Sequence, residues 1–169
     1  VREVPFPSLR LDSAFAAKRK VNGHWQKTTV EWGGHETILG FCHTFARLMP
    51  PEKYGRQHPE YYSEINGIRH PVGNQLCLSN RNMRQELIRN IRKLLREKPS
   101  AKIISVSQDD NNDYCRCREC NLLAGRYGNT QSGILIDCLN EIAASLEHEF
   151  PGVFFETLAY AYSVKPPQN

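Results

Sequence analysis

The chain alternates stretches of helical hydrophobic periodicity with short apolar runs that are typical of buried strands. From a cap at Ser79 or Asn80 to Pro99, apolar residues recur at helical spacing, and arginines and lysines fill much of the rest. A second periodic stretch runs from Leu135 to Leu146 and ends before a Pro-Gly pair. The strand-like runs are VREVPF at the start of the sequence, NQLCLS, KIISVS and VFFETLAYAYS.

Two shorter helices complete the predicted elements. Asp12 is a suitable N-cap for a helix that continues through Lys20, after which an Asn-Gly pair stops it. Pro50 and Pro51 start another helix, which reaches about Gln57. We interpret the basic residues of the long helix that ends before Pro99 as a solvated surface.

The order strand, helix, strand, helix, strand favours βαβ units around a parallel sheet. Two architectures are built in this way, the doubly wound sheet and the (β/α)8 barrel. A barrel needs about 200 residues or more, so a chain of 169 residues has room for only about half of one. We therefore expect residues 1–169 to form a single domain or part of one.

Composition and charge narrow the classes of function. Hydrophobic residues make up 40% of the chain, which is enough to bury a core. A net charge of +4 is too small to indicate a nucleic-acid partner. No apolar run approaches the ~20 residues that span a bilayer, and the N-terminus lacks the pattern of a signal peptide. We expect no membrane insertion, and any export signal would have to lie upstream.

Polar side chains follow the ends of the predicted strands, where α/β folds place their binding and catalytic groups. Carboxylates and amides hydrogen-bond sugar hydroxyls, and tyrosine rings stack on sugar faces, so these side chains suit a carbohydrate site. Each also has a structural interpretation, as a polar turn, a structural histidine or rim packing. We predict catalytic roles for Asp109 and Asp110, and substrate-binding roles for His43, Gln75, Gln108, Asn111, Tyr160 and Tyr162.

The two adjacent acids are candidates for acid–base chemistry. Glycoside hydrolysis typically needs a carboxylic acid to protonate the leaving oxygen and a second group to stabilise the oxocarbenium ion. Asp109 and Asp110 can share a proton, because the charge of one raises the pKa of the other. Tyr160 and Tyr162 have the same parity as Glu156, which predicts one face of their strand.

Three of the cysteines lie within six residues, in CRCREC. Cys115, Cys117 and Cys120 can converge on one tetrahedral metal such as Zn²⁺, with Cys138 or Asp113 as the fourth ligand. A disulfide from Cys120 to one of the other two, and reduced thiols, are the alternatives. The isolated cysteines, Cys42, Cys77 and Cys138, are interpreted as core residues.

Four segments give the chain a family likeness. CHTFARLMPPEKYGRQHPEYYSEINGIR, NQLCLSN, AKIISVSQDDNNDYCRCREC and ETLAYAYSVKPP, in that order, resemble the domain of unknown function 4838 between about Asn22 and Pro167. The resemblance implies the central part of a (β/α)8 TIM-barrel glycoside hydrolase in secreted, periplasmic or cell-surface proteins of glycan-degrading bacteria. Some members form glycoside hydrolase family 163, which are endo-β-N-acetylglucosaminidases acting on N-glycans.

The resemblance also refines the predicted site. The implied roles fall on His43 in HTF, on Gln75 in QLCLSN, on Gln108, Asp110 and Asn111 in SQDDN, and on Tyr160 and Tyr162 in AYAY. Because the family more often has Asn at the position of Asp109, it implies Asp110 as the functional acid. The first hypothesis is a fragment of a glycoside hydrolase barrel, inactive without the rest of its barrel and accessory domains. The alternatives are a non-catalytic carbohydrate-binding module and a small zinc-stabilised interaction domain, and no cofactor is expected for the chemistry itself.

Overall fold

A computed structural model describes residues 12–21, 28–73 and 75–168. The predicted N-terminal strand VREVPF lies outside the described residues. The strands are β1 (Ile38–Leu39), β2 (Glu64–Ile65), β3 (Ile68–Arg69), β4 (Ile103–Ser105) and β5 (Phe154–Glu156). The helices are α1 (Ser13–Lys18), α2 (Phe45–Leu48), α3 (Pro51–Tyr54), α4 (Arg81–Glu97), α5 (Arg118–Gly125) and α6 (Gln131–Leu146), with 3-10 turns at Val30–Trp32, Pro59–Tyr61 and Ala161–Ser163.

The main sheet is parallel, with β4 between β1 and β5. Ile103 of β4 is opposite Ile38 on one side and Phe154 on the other. Helix α4 precedes β4, and α5 and α6 connect β4 to β5. The prediction of a mixed α/β fold with a parallel sheet is therefore confirmed. The carboxyl ends of all three strands lie at one edge of this sheet.

Helix α4 packs against α6 and α2, and its sequence is amphipathic and well capped. The side chain of Asn80 accepts a hydrogen bond of 3.0 Å from the backbone N–H of Met83, which fixes the first turn. Its apolar side chains pack with those of α6, and each buried leucine contributes about 2–5 kcal/mol relative to alanine. The fully buried residues of the two helices are Met83, Leu87, Ile91, Leu95, Ile134, Ile142 and Leu146.

The two short predicted helices are present with shorter bounds. Asp12 caps α1 by accepting a hydrogen bond of 2.8 Å from Phe15 N–H, as predicted. Helix α3 begins at Pro51, also as predicted, but ends at Tyr54 rather than near Gln57. Within the described residues, no helix is both long enough and apolar enough to cross a lipid bilayer.

All three predicted strands that lie in the described residues are shorter than their apolar runs, and KIISVS yields only Ile103–Ser105. NQLCLS contributes only a bridge between Leu76 and Tyr62 in its described part, and β5 stops at Glu156. Tyr160 and Tyr162 therefore lie in a loop and a 3-10 turn, and the prediction that they share a strand face is wrong. Between the two tyrosines, Ala161 has a φ of +50°, which is incompatible with a strand.

The basic face of α4 contains one exception to its solvated interpretation. Arg84 is buried, and its guanidinium donates to Leu78 O, to Glu141 and to Asp137. Both carboxylates lie 2.7 Å from it and belong to α6. Arg84 thus joins the two long helices through charge-assisted hydrogen bonds.

We expect Arg84→Gln to lower the free energy of unfolding by about 2 kcal/mol, because it removes both ion pairs of a buried guanidinium and its hydrogen bond to Leu78 O. Arg92→Gln on the same helix is the matched control, because Arg92 pairs with Glu149 at a site where both side chains are about a third exposed. Its cost should stay below about 1 kcal/mol. Denaturant unfolding of both variants measures the difference, and equal costs would contradict the role assigned to Arg84.

Candidate functional site

The carboxyl end of β4 is attached to the segment that follows β1 through Thr44. Its hydroxyl donates to Ser105 O at 2.9 Å and accepts from Ser107 N–H at 2.9 Å. Its backbone N–H also donates to Ser107 O at 3.0 Å. These bonds hold the two strand ends side by side, so the residues that follow them belong to one cluster.

Gln108 is fully buried and acts as a connector of loops. Its side-chain amide donates to Leu158 O, Tyr160 O and the Ser163 hydroxyl at 3.0, 3.1 and 2.6 Å. Its backbone carbonyl lies 2.8 Å from His43 Nδ1, and that nitrogen must therefore be the donor. The side-chain N–H groups of this predicted substrate-binding residue are thus committed to the loop after β5.

Gln75 is also buried and connects a second pair of segments. Its Nε2 donates to Asp109 O at 2.8 Å and to the side-chain oxygen of Asn111 at 2.8 Å. Its Oε1 accepts from Asp109 N–H at 3.0 Å. Asn111 in turn donates to Gly73 O and accepts from Asp113 N–H. These amides hold the turn after β4 in place.

Three of the predicted site residues meet at the exposed edge of the cluster. The hydroxyl of Tyr160 donates to Asp110 Oδ1 at 2.8 Å, and the ring of Tyr160 meets that of His43 edge-on at 5.7 Å. Asp110 is exposed. His43 has a φ of +53°, a conformation uncommon outside glycine, so the fold holds the imidazole at a conformational cost.

Asp109 has a more enclosed environment than its neighbour. Its carboxylate accepts a hydrogen bond of 3.1 Å from the backbone N–H of Ala46. Burial raises the pKa of Asp109, while the Ala46 N–H and the charge of His43 oppose that rise. The pKa of the nearby Tyr162 is also raised, first by burial and then by the charge of Asp109. The ring of Tyr162 lies 5.3 Å from that of Tyr114. The two acids that follow β4 therefore have different surroundings.

The four cysteine thiols of Cys77, Cys115, Cys117 and Cys120 form a separate, buried cluster. All four sulfur atoms lie within 4.8 Å of one another, and Cys77 Sγ is 3.8 Å from Cys117 Sγ and 3.9 Å from Cys120 Sγ. Four sulfurs at about 2.3 Å from a tetrahedral zinc ion would be about 3.8 Å apart. The arrangement thus fits a tetrahedral metal such as zinc.

Backbone and side-chain donors surround the thiol cluster. The N–H groups of Glu64 and Cys120 point at Cys115 Sγ and Cys117 Sγ, at 3.3 and 3.4 Å. Arg69 Nη1 lies 3.5 Å from Cys115 Sγ, and Ser79 Oγ lies 3.1 Å from Cys120 Sγ. Such outer contacts stabilise thiolates and orient them for a metal.

The protonation of the thiols also fits a cation. Hydrogen bonds from Cys115 and then Cys120 lower the pKa of Cys77, whereas hydrogen bonds to Cys115 and Cys77, together with burial, raise the pKa of Cys120. One thiolate is therefore favoured at the expense of the others. A bound divalent cation removes this conflict by compensating several thiolates at once, with release of their protons.

The sequence identified three members of the cluster and missed the fourth. Cys77 is buried in the core, as predicted, and it also lies beside the triplet, whereas neither Cys138 nor Asp113 belongs to the cluster. No disulfide joins the cysteines of the described residues, which leaves the disulfide alternative unsupported. No local pattern in QLCLSN marks Cys77 as a ligand, because the other three thiols lie 38 to 43 residues later in the sequence.

The chain matches a family model described as a domain of unknown function (DUF4838) over residues 2–169. The chain belongs to the DUF4838 family. The comparison with curated proteins found no match. The strand-end cluster and the thiol cluster both lie inside the region that defines DUF4838, so both are part of the domain and not of a flanking segment.

A cavity of about 720 Å³ in the DUF4838 chain lies between α4, α5 and α6, away from the strand ends. Arginines and acids line it together, including Arg84 with its partners Asp137 and Glu141. No residue of the strand-end cluster lines this cavity. Side-chain chemistry, and not cavity size, therefore distinguishes the strand ends as the candidate site.

We expect Cys77→Ala to lower the metal affinity of the protein by more than about a hundredfold, because it removes one of four ligands. Cys138→Ala is the matched control, since both thiols are 2% exposed but Cys138 lies outside the cluster. Elemental analysis and competition with a chromophoric chelator measure the effect. Full metal retention in Cys77→Ala, or equal loss in the control, would contradict the four-thiol site.

We expect Asp109→Asn to stabilise the fold increasingly as the pH rises from 3 to 7. The folded-state pKa is raised above 3.8, so ionised Asp109 lowers stability above that folded pKa and has no such effect below the unfolded value. The difference in unfolding free energy between variant and wild type should therefore shift towards the variant across this interval. A difference that does not change with pH would show that burial of the carboxylate has no energetic consequence.

Proposed function

We propose that this DUF4838 chain forms part of a glycoside hydrolase that acts on complex glycans. The observation that carries the proposal is the exposed carboxylate of Asp110, held by the hydroxyl of Tyr160 beside the ring of His43. This group lies at the carboxyl edge of a parallel sheet, where α/β enzymes bind their substrates. An acid, a tyrosine and an imidazole together suit a sugar ring, which needs hydrogen-bond partners and an apolar face.

We further propose that the described elements are about half of a (β/α)8 barrel. Within the described residues, β1 and β5 pair only with β4, so each leaves one edge without a partner in this sheet. Beside β5, a groove of about 680 Å³ is lined by apolar side chains that include Phe150 and Phe154, and Phe154 is 71% exposed. Additional βα units would pair with the strand edges and cover these rings.

The two acids receive different roles in this proposal. Asp110 contacts the substrate, either as proton donor or as the group that orients the N-acetyl carbonyl of a hexosamine for attack on the anomeric carbon. Asp109 supports the turn, because its carboxylate is satisfied by the Ala46 N–H. Gln75 and Gln108 support the same site through their backbone contacts. The reaction class is endo-β-N-acetylglucosaminidase or another hexosaminidase, as in glycoside hydrolase family 163.

Zinc is the proposed occupant of the thiol cluster, in a structural role. Its four thiols are buried and use all positions of a tetrahedral ion, which leaves none for water or substrate. The same observation favours a second candidate function, a zinc-stabilised interaction domain in which the strand-end residues have no catalytic part.

We expect Asp110→Asn in the full-length protein to lower kcat on N-glycan or aryl-hexosaminide substrates by roughly 10²–10⁴-fold. The amide keeps the size of the side chain and can still accept from Tyr160, so folding should be unchanged. Asp109→Asn is the comparison, and its loss should be smaller because that side chain is already bound to the backbone.

Near-normal turnover by Asp110→Asn, or a larger loss at Asp109, would show that the assignment of the acid is wrong. If the wild-type protein binds glycans on an array but does not hydrolyse them, the carbohydrate-binding alternative replaces the enzyme. If it neither binds nor hydrolyses glycans, the interaction domain becomes the better proposal.

A further inference from the structure

The turn at Asp109–Asn111, which follows β4, and the thiol cluster are connected by the same two segments of chain. One segment contains Gln75 and, two residues later, the ligand Cys77. The other runs from Asp109 through Asn111 to Cys115. At one end the segments are joined by the side chain of Gln75, and at the other end by the four sulfurs. The two sites therefore share a closed set of contacts.

The joint at Gln75 uses both halves of a primary amide. Its N–H donors bind two oxygens of the turn, Asp109 O and Asn111 Oδ1, and its oxygen accepts from Asp109 N–H. A carboxylate in this position would have no donor, and an apolar side chain would leave all these groups unpaired. Because Gln75 is only 1% exposed, water cannot replace it without opening the structure.

The segment between Gln75 and Cys77 is itself held at fixed positions. Ser63 N–H donates to Gln75 O at 2.8 Å, and Cys77 N–H donates to Tyr61 O at 2.8 Å. Leu76 between them is 2% exposed. A displacement of the Cys77 sulfur is therefore passed to Gln75 and is not absorbed by a free loop.

The other segment contacts Glu64, the residue that follows Ser63 in the sequence. Glu64 N–H points at Cys115 Sγ, and Arg116 N–H donates to Glu64 O at 2.8 Å. Asn111 at its beginning accepts from both Gln75 and Asp113. The turn that presents Asp110 is thus fixed at one end by β4 and at the other by the cysteines.

We propose that Gln75 is a positioning residue that couples metal occupancy of the four thiols to the geometry of the turn at Asp109–Asn111. The metal fixes Cys77 and Cys115, Gln75 passes this constraint to the turn, and the turn places Asp110 against Tyr160. The coupling concerns structure alone; only the catalytic consequence of moving Asp110 rests on the proposed function.

Gln75→Met tests the coupling, because methionine has a similar size but cannot form these hydrogen bonds. The measurement is amide hydrogen exchange of residues 109–113 in the full-length protein, with zinc and after removal of zinc by a chelator. Asn90→Leu is the matched control, because Asn90 donates to Leu48 O at 2.8 Å as a partly buried amide outside both sites.

In the wild type we expect zinc removal to speed exchange of the turn by about tenfold or more, the effect of losing one to two net hydrogen bonds. Zinc-loaded Gln75→Met should show a similar increase while it keeps its zinc, and chelation should add little to it. The control should match the wild type with and without zinc. Additive effects of the variant and the chelator, or a turn that does not respond to chelation, would overturn the proposal.

A second measurement remains decisive if the protein unfolds without zinc. Coupling is reciprocal, so Gln75→Met should weaken zinc binding, measured by chelator competition, by the factor by which zinc protects the turn. Unchanged zinc affinity together with a faster-exchanging turn would refute the coupling. Neither experiment uses a sugar, so failure to find glycosidase activity leaves this inference standing, and its failure leaves the proposed function untouched.

Discussion

The parallel pairing of β4 on both of its edges is the constraint on which the rest of the DUF4838 chain depends. Ile103, Ile104 and Ser105 pair with β5, and the first two also pair with β1. Parallel neighbours require long crossover connections, which α4 and the α5–α6 pair provide. They also bring the carboxyl ends of three strands to one edge. Thr44, Gln108 and the loop after β5 meet there because the strands end there.

The thiol cluster adds a second constraint to a part of the chain with little regular structure. Between β1 and α4 the described elements are short, and β2 and β3 contain only two residues each. The four thiols lie in van der Waals range, and N–H groups point at two of them. Without a cation, ionisation of more than one of these thiols is electrostatically unfavourable. A thiophilic metal would add to the stability that buried side chains of this region, such as Phe45, Met49 and Tyr62, already provide.

Buried amides have a larger part in the strand-end cluster than its surface suggests. Gln75 and Gln108 are 1% and 0% exposed, and both hold backbone groups of neighbouring loops. The Gln75 amide is engaged through both its N–H groups and its oxygen, and the Gln108 amide through its N–H groups, so any slip of these loops leaves several buried groups unpaired. The cluster therefore has a supporting layer of amides, and Asp110, Tyr160 and His43 lie on it. Gln75 and Gln108 therefore hold the loops in place, and Asp110, Tyr160 and His43 are the side chains that remain candidates for contact with a ligand.

The sequence by itself determined the element types, the parallel sheet, the caps at Asp12 and Asn80 and three of the four cysteines, since these depend on local periodicity and spacing. It also grouped the strand-end residues, because parallel strands place their ends together. Only the tertiary structure decided that Cys77 completes the thiol cluster, that Arg84 is buried against α6 and that Tyr160 leaves the strand. Cys77 lies 40 and 43 residues from Cys117 and Cys120, and Arg84 lies 53 and 57 residues from its two carboxylates. The course of the chain at Tyr160 depends on the positive φ of Ala161, and hydrophobic periodicity expresses none of these features. Contact between distant segments is set by how helices and loops pack on the sheet, and that is a property of the folded chain alone.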